Sequence, residues 1–159
     1  MKFSSQEEYG LRCLLRIGKS KSQHGLTIPE ISELEGLSTA NVAKLLRTLR
    51  LGGFIEATRG QSGGYKLAKP AEEIIIGEVL VVLGGRLFEE DFCNFHTGIE
   101  NICTNSIDCS IRSLWRTIQA LVDSVVLKTT LKDLLGKEEE VQTLVSSIIE
   151  EPGTATVKN

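Results

Sequence analysis

Apolar residues recur at helical spacing through the first fifty positions and then give way to two short strand-like runs. Leu11, Leu14, Leu15 and Gly18 predict a first helix. Ser4-Ser5-Gln6-Glu7 opens it as a capping box, in which a serine hydroxyl and a glutamate three residues on satisfy free N–H groups. After a polar stretch around residues 20–25, Thr27-Ile28-Pro29-Glu30 forms a second capping box with a proline in the first turn, starting a short helix to about Glu35. Gly36-Leu37 breaks it. Ser38 caps a third helix, from Thr39 to about Leu51, with the stripe Val42, Leu45, Leu46 and Leu49, and Gly52-Gly53 ends it. Residues 54–58 then read as a strand, 59–64 as a glycine-rich tip and 65–68 as the return strand.

A short helix, a tight glycine turn and a second helix form a helix-turn-helix pattern, and a hairpin directly behind it makes the pattern winged. A phosphate-cradling glycine loop would need a helix opening after its glycines, and no such signal follows here. Beyond Pro70, residues 74–83 predict an apolar helix closed by Gly84-Gly85, while residues 86–106 carry no clear period. A long helix from 107 to about 128 presents Ile107, Ile111, Leu114, Ile118, Leu121 and Val125 as an a/d seam, widened by Trp115, Val122 and Val126. A helix that apolar wants a partner. A two-fold dimer is one solution and packing on the first helix another. A short helix over 130–135, an amphipathic one over 138–149 and a frayed tail from 150 complete the chain. The expected fold class is mainly α with a small β-hairpin wing. It divides into a winged helix-turn-helix over 1–70, a linking helix and cysteine loop over 71–106, a dimerisation helix over 107–135, and a C-terminal helix and tail over 136–159.

Charge sharpens this picture. The net charge of −3 argues against a polyanion partner, but residues 1–70 hold 11 Lys+Arg against 6 Asp+Glu, or +5, and residues 71–159 hold 7 against 15, or −8. A basic half joined to an acidic one suits a module that meets nucleic acid beside one that does not. With 159 residues, 41% apolar and 25% charged, the chain can bury a core without disulfide staples. Its charged opening, MKFSSQEEYGLRC, is not expected to act as a secretory signal, and no apolar run approaches a membrane span. The cytoplasm is the expected compartment. Two histidines, His24 and His96, and no Ser/His/Asp or paired-carboxylate arrangement speak against an enzyme.

The four cysteines therefore read as thiols, metal ligands or redox sensors. Three of them, Cys93-x9-Cys103-x5-Cys109, lie in or at the end of the aperiodic segment, where soft thiolates suit zinc or an iron–sulfur cluster. Their spacing matches neither paired zinc knuckles nor ferredoxin runs, and a thiol switch is the other use of such a set. Cys13, among leucines, reads as a small buried hydrophobe.

Taken together, the chain resembles the Rrf-two family of bacterial transcription regulators. The pieces that carry this are Leu49-Arg50-x3-Phe54-Ile55, Arg59-Gly60-x-x-Gly63-Gly64-Tyr65, Ile76-Gly77-Glu78-Val79, and the three cysteines followed by Leu114-Trp115. The resemblance runs from Met1 to about Leu135. It implies a winged-helix homodimer that binds a pseudo-palindromic DNA operator, read here as a repressor. An iron–sulfur cluster on Cys93, Cys103 and Cys109 would set its DNA affinity, a two-iron cluster being favoured over a four-iron one. Two departures stand out. The gap from Cys93 to Cys103 is wider than is usual in the family. Arg112 stands where the cluster-assembly regulators place a ligating histidine, and arginine cannot ligate iron. In related sensors a carboxylate from the first helix of the other subunit completes the site, and Glu8 holds that position here, with His96 as the competing donor. A cluster-free relative, or a zinc or thiol-switch regulator of the same fold, is the alternative.

For DNA, the start of the third helix offers Ser38, Thr39 and Asn41 to the major groove, with Asn41 suited to adenine. Lys44 and Arg47 suit guanine edges or phosphates. The resemblance implies Arg59 in the minor groove, and Gln61 and Ser62 are expected at backbone or groove.

Overall fold

A computed structural model describes residues 3–58, 60, 63–89, 91–97 and 99–150. The first helix, α1 (Ser5–Lys19), starts at the Ser4 capping box: Glu7 N–H donates to the Ser4 hydroxyl and the Glu7 carboxylate accepts from Ser4 N–H. Its buried stripe is Gly10, Cys13, Leu14 and Ile17. The sequence reading placed that stripe on Leu11, Leu14, Leu15 and Gly18, one step round the helix. The difference arises because α1 is packed on several elements, so Leu11 and Leu15 also touch the core from its edge.

The next two helices, α2 (Ile28–Glu35) and α3 (Thr39–Leu51), follow the sequence signals at both ends. Thr27 and Glu30 close the second capping box, and the Ser38 hydroxyl accepts from Asn41 N–H. Gly36 ends α2 in the left-handed conformation, at φ 66°, which a residue with a Cβ adopts only with strain. The wing pairs β1 (Ile55–Ala57) with β2 (Tyr65–Leu67) antiparallel, in the register Ile55↔Leu67, Glu56↔Lys66 and Ala57↔Tyr65. Leu26 adds a third lane. Its N–H donates to Tyr65 C=O at 3.0 Å, and Tyr65 N–H donates back at 2.7 Å.

The helix expected over 74–83 is α4 (Ile76–Gly84). Ile74 and Ile75 are extended instead, because this segment pairs with the one around Thr130: Ile76 N–H donates to Thr129 C=O and Leu131 N–H to Ile74 C=O. The aperiodic segment holds one short helix, α5 (Phe92–Phe95), and a 3-10 turn at Ile99–Asn101. The long helix α6 (Ser110–Val126) begins three residues later than its apolar period suggests, since Cys109 is its N-cap and the Cys109 Sγ accepts from Arg112 N–H. Two more helices follow, α7 (Leu131–Leu134) and α8 (Glu138–Glu150).

One core joins these elements. Cys13, Leu14, Ile31, Val42, Leu45, Leu46, Leu49, Ile55, Ile74, Val79 and Leu131 are all buried in it. Burying such side chains contributes roughly 1.5–3 kcal/mol each. α6 stands apart: it packs on α4 and α8, yet Ile111, Leu114 and Leu121 remain more than half exposed. Among the described residues no helix is long and apolar enough to cross a membrane.

Candidate functional site

Two regions carry chemistry. The first is the outer face of α3. Its inner stripe is sunk in the core, so Thr39, Lys44 and Arg47 are turned to solvent with Asn41 half-buried beside them. The Ser38 hydroxyl is occupied as the helix cap, which fixes where the N-terminal residues of α3 point. The angle of α3 is set by a clamp that the sequence reading did not find. Glu35, at the end of α2, accepts from Arg16 Nε at 2.6 Å and from Arg12 Nε at 2.9 Å, and its main-chain carbonyl accepts from Arg12 Nη2 at 2.7 Å. Burial pushes the Glu35 carboxyl up, but hydrogen bonds from Arg16 and then Arg12 outweigh it and hold the group below the ordinary carboxylate range. The i, i+4 spacing of Arg12 and Arg16 was the available signal, though it named no partner.

The wing lies beside α2 through Leu26. The Thr58 hydroxyl faces His24 C=O at 2.7 Å and accepts from Gly64 N–H at 2.7 Å. A Cβ on Gly64 would sit 2.7–2.9 Å from the backbone of Leu26, so the second glycine of the Gly63-Gly64 pair is required by close approach. Arg59, Gln61 and Ser62, expected to reach DNA from the wing tip, lie outside the described residues.

The second region is the aperiodic segment. Its thiols are brought together. Cys93 from α5, Cys103 from the loop and Cys109 from the cap of α6 line one cavity of about 190 Å³, together with His96 and Trp115. All three are half-buried free thiols. The segment is anchored to α6 from inside. Phe88 N–H donates to the Oε1 of buried Gln119 at 2.9 Å, Gln119 donates to Asp123, and Asp123 pairs with Arg86. Arg112, which cannot ligate, donates its guanidinium N–H groups to Ser106 C=O and so ties down the loop between Cys103 and Cys109. Among the described residues no three Cys, His, Asp or Glu side chains converge tightly enough to hold one metal ion. The donor set nevertheless fits a thiolate-ligated group, because three soft, unpaired thiols face one partly enclosed space. Glu8 is elsewhere. It is exposed near the start of α1 and forms no part of the cavity wall, while its neighbour Glu7 is spent on the capping box. Cys13 differs from the other thiols: burial pushes it up to about 11.

Residues 3–137 match the model of a protein family described as Rrf2, iron-dependent transcriptional regulator. The chain belongs to the Rrf2 family. A relative, the protein rrf2 of Nitratidesulfovibrio vulgaris, is 33% identical over 136 residues, covering 85% of this chain and 87% of that one. Among solved structures, T. potens IscR matches with a TM-score of 0.68 at 26% identity, covering 89% of this chain and 91% of its own. CymR, the global cysteine regulator of B. subtilis, matches with a TM-score of 0.67 at 27% identity, covering 85% and 96%. This Rrf2 protein is therefore a transcriptional regulator, and its mostly helical fold with a two-stranded hairpin is that of winged-helix Rrf2 regulators.

Proposed function

We propose that this Rrf2 regulator is a DNA-binding repressor whose operator affinity follows an iron–sulfur cluster held by Cys93, Cys103 and Cys109. The observation that carries this reading is the gathering of three free thiols on the wall of one cavity. When bound, such a cluster supplies redox and ligand-exchange chemistry, with a two-iron form favoured. The chain's own residues do the rest. Gln119 and Arg112 hold the cysteine segment against α6, and the apolar face of α6 pairs with the same face of a second copy. Glu8, from α1 of that second copy, supplies the fourth donor. It lies one turn before Arg12, and Arg12 grips the end of α2 just ahead of α3, so a pull on Glu8 is transmitted to the DNA-reading helix.

Toward DNA, Ser38, Thr39 and Asn41 enter the major groove, and Lys44 and Arg47 meet guanine edges or phosphates. Arg59, Gln61 and Ser62 extend the contact from the wing. Two-fold symmetry makes the operator pseudo-palindromic, and the compartment is the cytoplasm. The test is the visible spectrum of protein purified without oxygen, with iron and sulfide counted per chain. Charge-transfer bands with matched iron and sulfide are expected. A chain that stays colourless after reconstitution refutes the cluster. One observation favours a second reading. The thiols are free as they stand and the fold is close to that of a cysteine regulator, so in that case the three cysteines act as a zinc or thiol switch on the same DNA-binding protein.

A further inference from the structure

The cavity that holds the three thiols contains a donor from the same chain. His96 lies on its wall, three residues after Cys93 and one turn of helix beyond Phe92. Its ring is held on two sides. The imidazole stacks on Phe92 with ring centroids 4.0 Å apart and planes 13° from parallel, and Phe92 in turn leans on Phe88 at 5.1 Å. Phe88 is pinned by the buried amide of Gln119, so this ladder of rings is built out from α6 rather than hung on the loop. The His96 Nδ1 lies 2.8 Å from Phe92 C=O. A carbonyl can only accept, so Nδ1 carries the hydrogen and the neutral ring keeps its lone pair on Nε2. Metal-binding histidines are commonly oriented this way, with one ring nitrogen donating to a backbone carbonyl and the other left for the metal. Imidazole is an accepted replacement for thiolate on iron–sulfur centres.

We infer that His96 is an in-chain fourth donor to the cluster site, so that one protomer carries a full set of three sulfurs and one nitrogen. The inference rests on the proposed cluster and deepens it. Glu8 is not on the cavity wall and is reached only from a second copy, whereas His96 is already in place. The cluster then survives loss of the Glu8 contact, because His96 takes the vacated position. Signal-driven release of α1 becomes reversible and does not discard the iron.

The test uses the full-length protein labelled with 15N-histidine, reconstituted with iron and sulfide and reduced with dithionite. The chain has only two histidines, and His24 sits beside the wing, where its main-chain carbonyl meets Thr58, so the label is close to site-specific. Glu8→Ala is expected to keep wild-type iron and sulfide per chain and to show a strongly coupled 15N nucleus in pulsed EPR. Adding His96→Ala should abolish that coupling and most of the bound iron. Both positions are exposed, so folding is not at stake. A Glu8→Ala protein that loses its cluster, or keeps it without the nitrogen coupling, overturns the inference and leaves the three-cysteine reading standing. A wild-type chain that takes up no iron overturns both.

Discussion

Gly64→Ala tests how the wing is held. Gly64 has ordinary backbone angles, so alanine there meets no left-handed strain. The obstacle is contact. The new Cβ would lie 2.7, 2.8 and 2.9 Å from the C, O and N atoms of Leu26, and backbone cannot rotate out of the way as a side chain can. Relief requires the wing to move off Leu26, which breaks the two hydrogen bonds that Leu26 and Tyr65 exchange. At roughly 0.5–1.5 kcal/mol net for each, the loss is about 1–3 kcal/mol. That agrees with the cost of about 1–3 kcal/mol for overpacking a tight site. For a domain of this size the melting temperature should fall by about 2–4 °C per kcal/mol, hence by about 4–8 °C for a mid-range loss. Gly36→Ala is the control. Gly36 has φ 66° with nothing within 4 Å of an added Cβ, so it meets only the left-handed penalty of roughly 1–2 kcal/mol. The lower unfolded-state entropy of alanine returns about 0.4–1 kcal/mol of that. Thermal melts followed by circular dichroism decide the matter. If Gly64→Ala melts with the wild type, or above Gly36→Ala, close approach to Leu26 is not what holds the wing.

Other outcomes follow from the same geometry. At pH 8 a thiol raised to about 11 is ionised about one part in a thousand, so iodoacetamide should modify three cysteines of the apoprotein and reach Cys13 only in denaturant; early labelling of Cys13 contradicts its burial. The sign for stability is definite. Unfolded Cys13 loses its proton near its ordinary value of 9.0 while the folded thiol keeps it to about 11, so stability falls as pH rises through that window and Cys13→Ala flattens the fall. Lys44→Ala should lower the slope of log affinity against log salt by about 0.9 on any duplex without changing the melting temperature, and an unchanged slope would remove Lys44 from the phosphate contacts. Leu114→Glu with Leu121→Glu, both on the open face of α6, should halve the mass seen in sedimentation while leaving the helical content intact. An unchanged mass assigns the interface elsewhere.

The sequence by itself determined the local elements of the first half. Capping boxes at Ser4 and Thr27, the Ser38 cap and the glycines at 36 and 52 act over three or four residues, so α1, α2 and α3 begin where their signals stand. It also showed that the seam of α6 outruns what one chain can cover, because a seven-residue apolar repeat is visible without knowing what it faces. What depended on distant residues was decided only in three dimensions. Ile74 and Ile75 look helical alone but are drawn into extended pairing by Thr130, fifty-five residues on from Ile75. Glu35 looks like any acidic helix end until Arg12 and Arg16 close on it from α1. The three cysteines announced soft-donor chemistry through their type, yet a spacing of ten and six residues does not specify a cavity. Gln119 made it one, by drawing Phe88 and the segment behind it onto α6. A backbone N–H that must be satisfied and an amide buried at the right height on a helix are facts about space, and no window of sequence contains both.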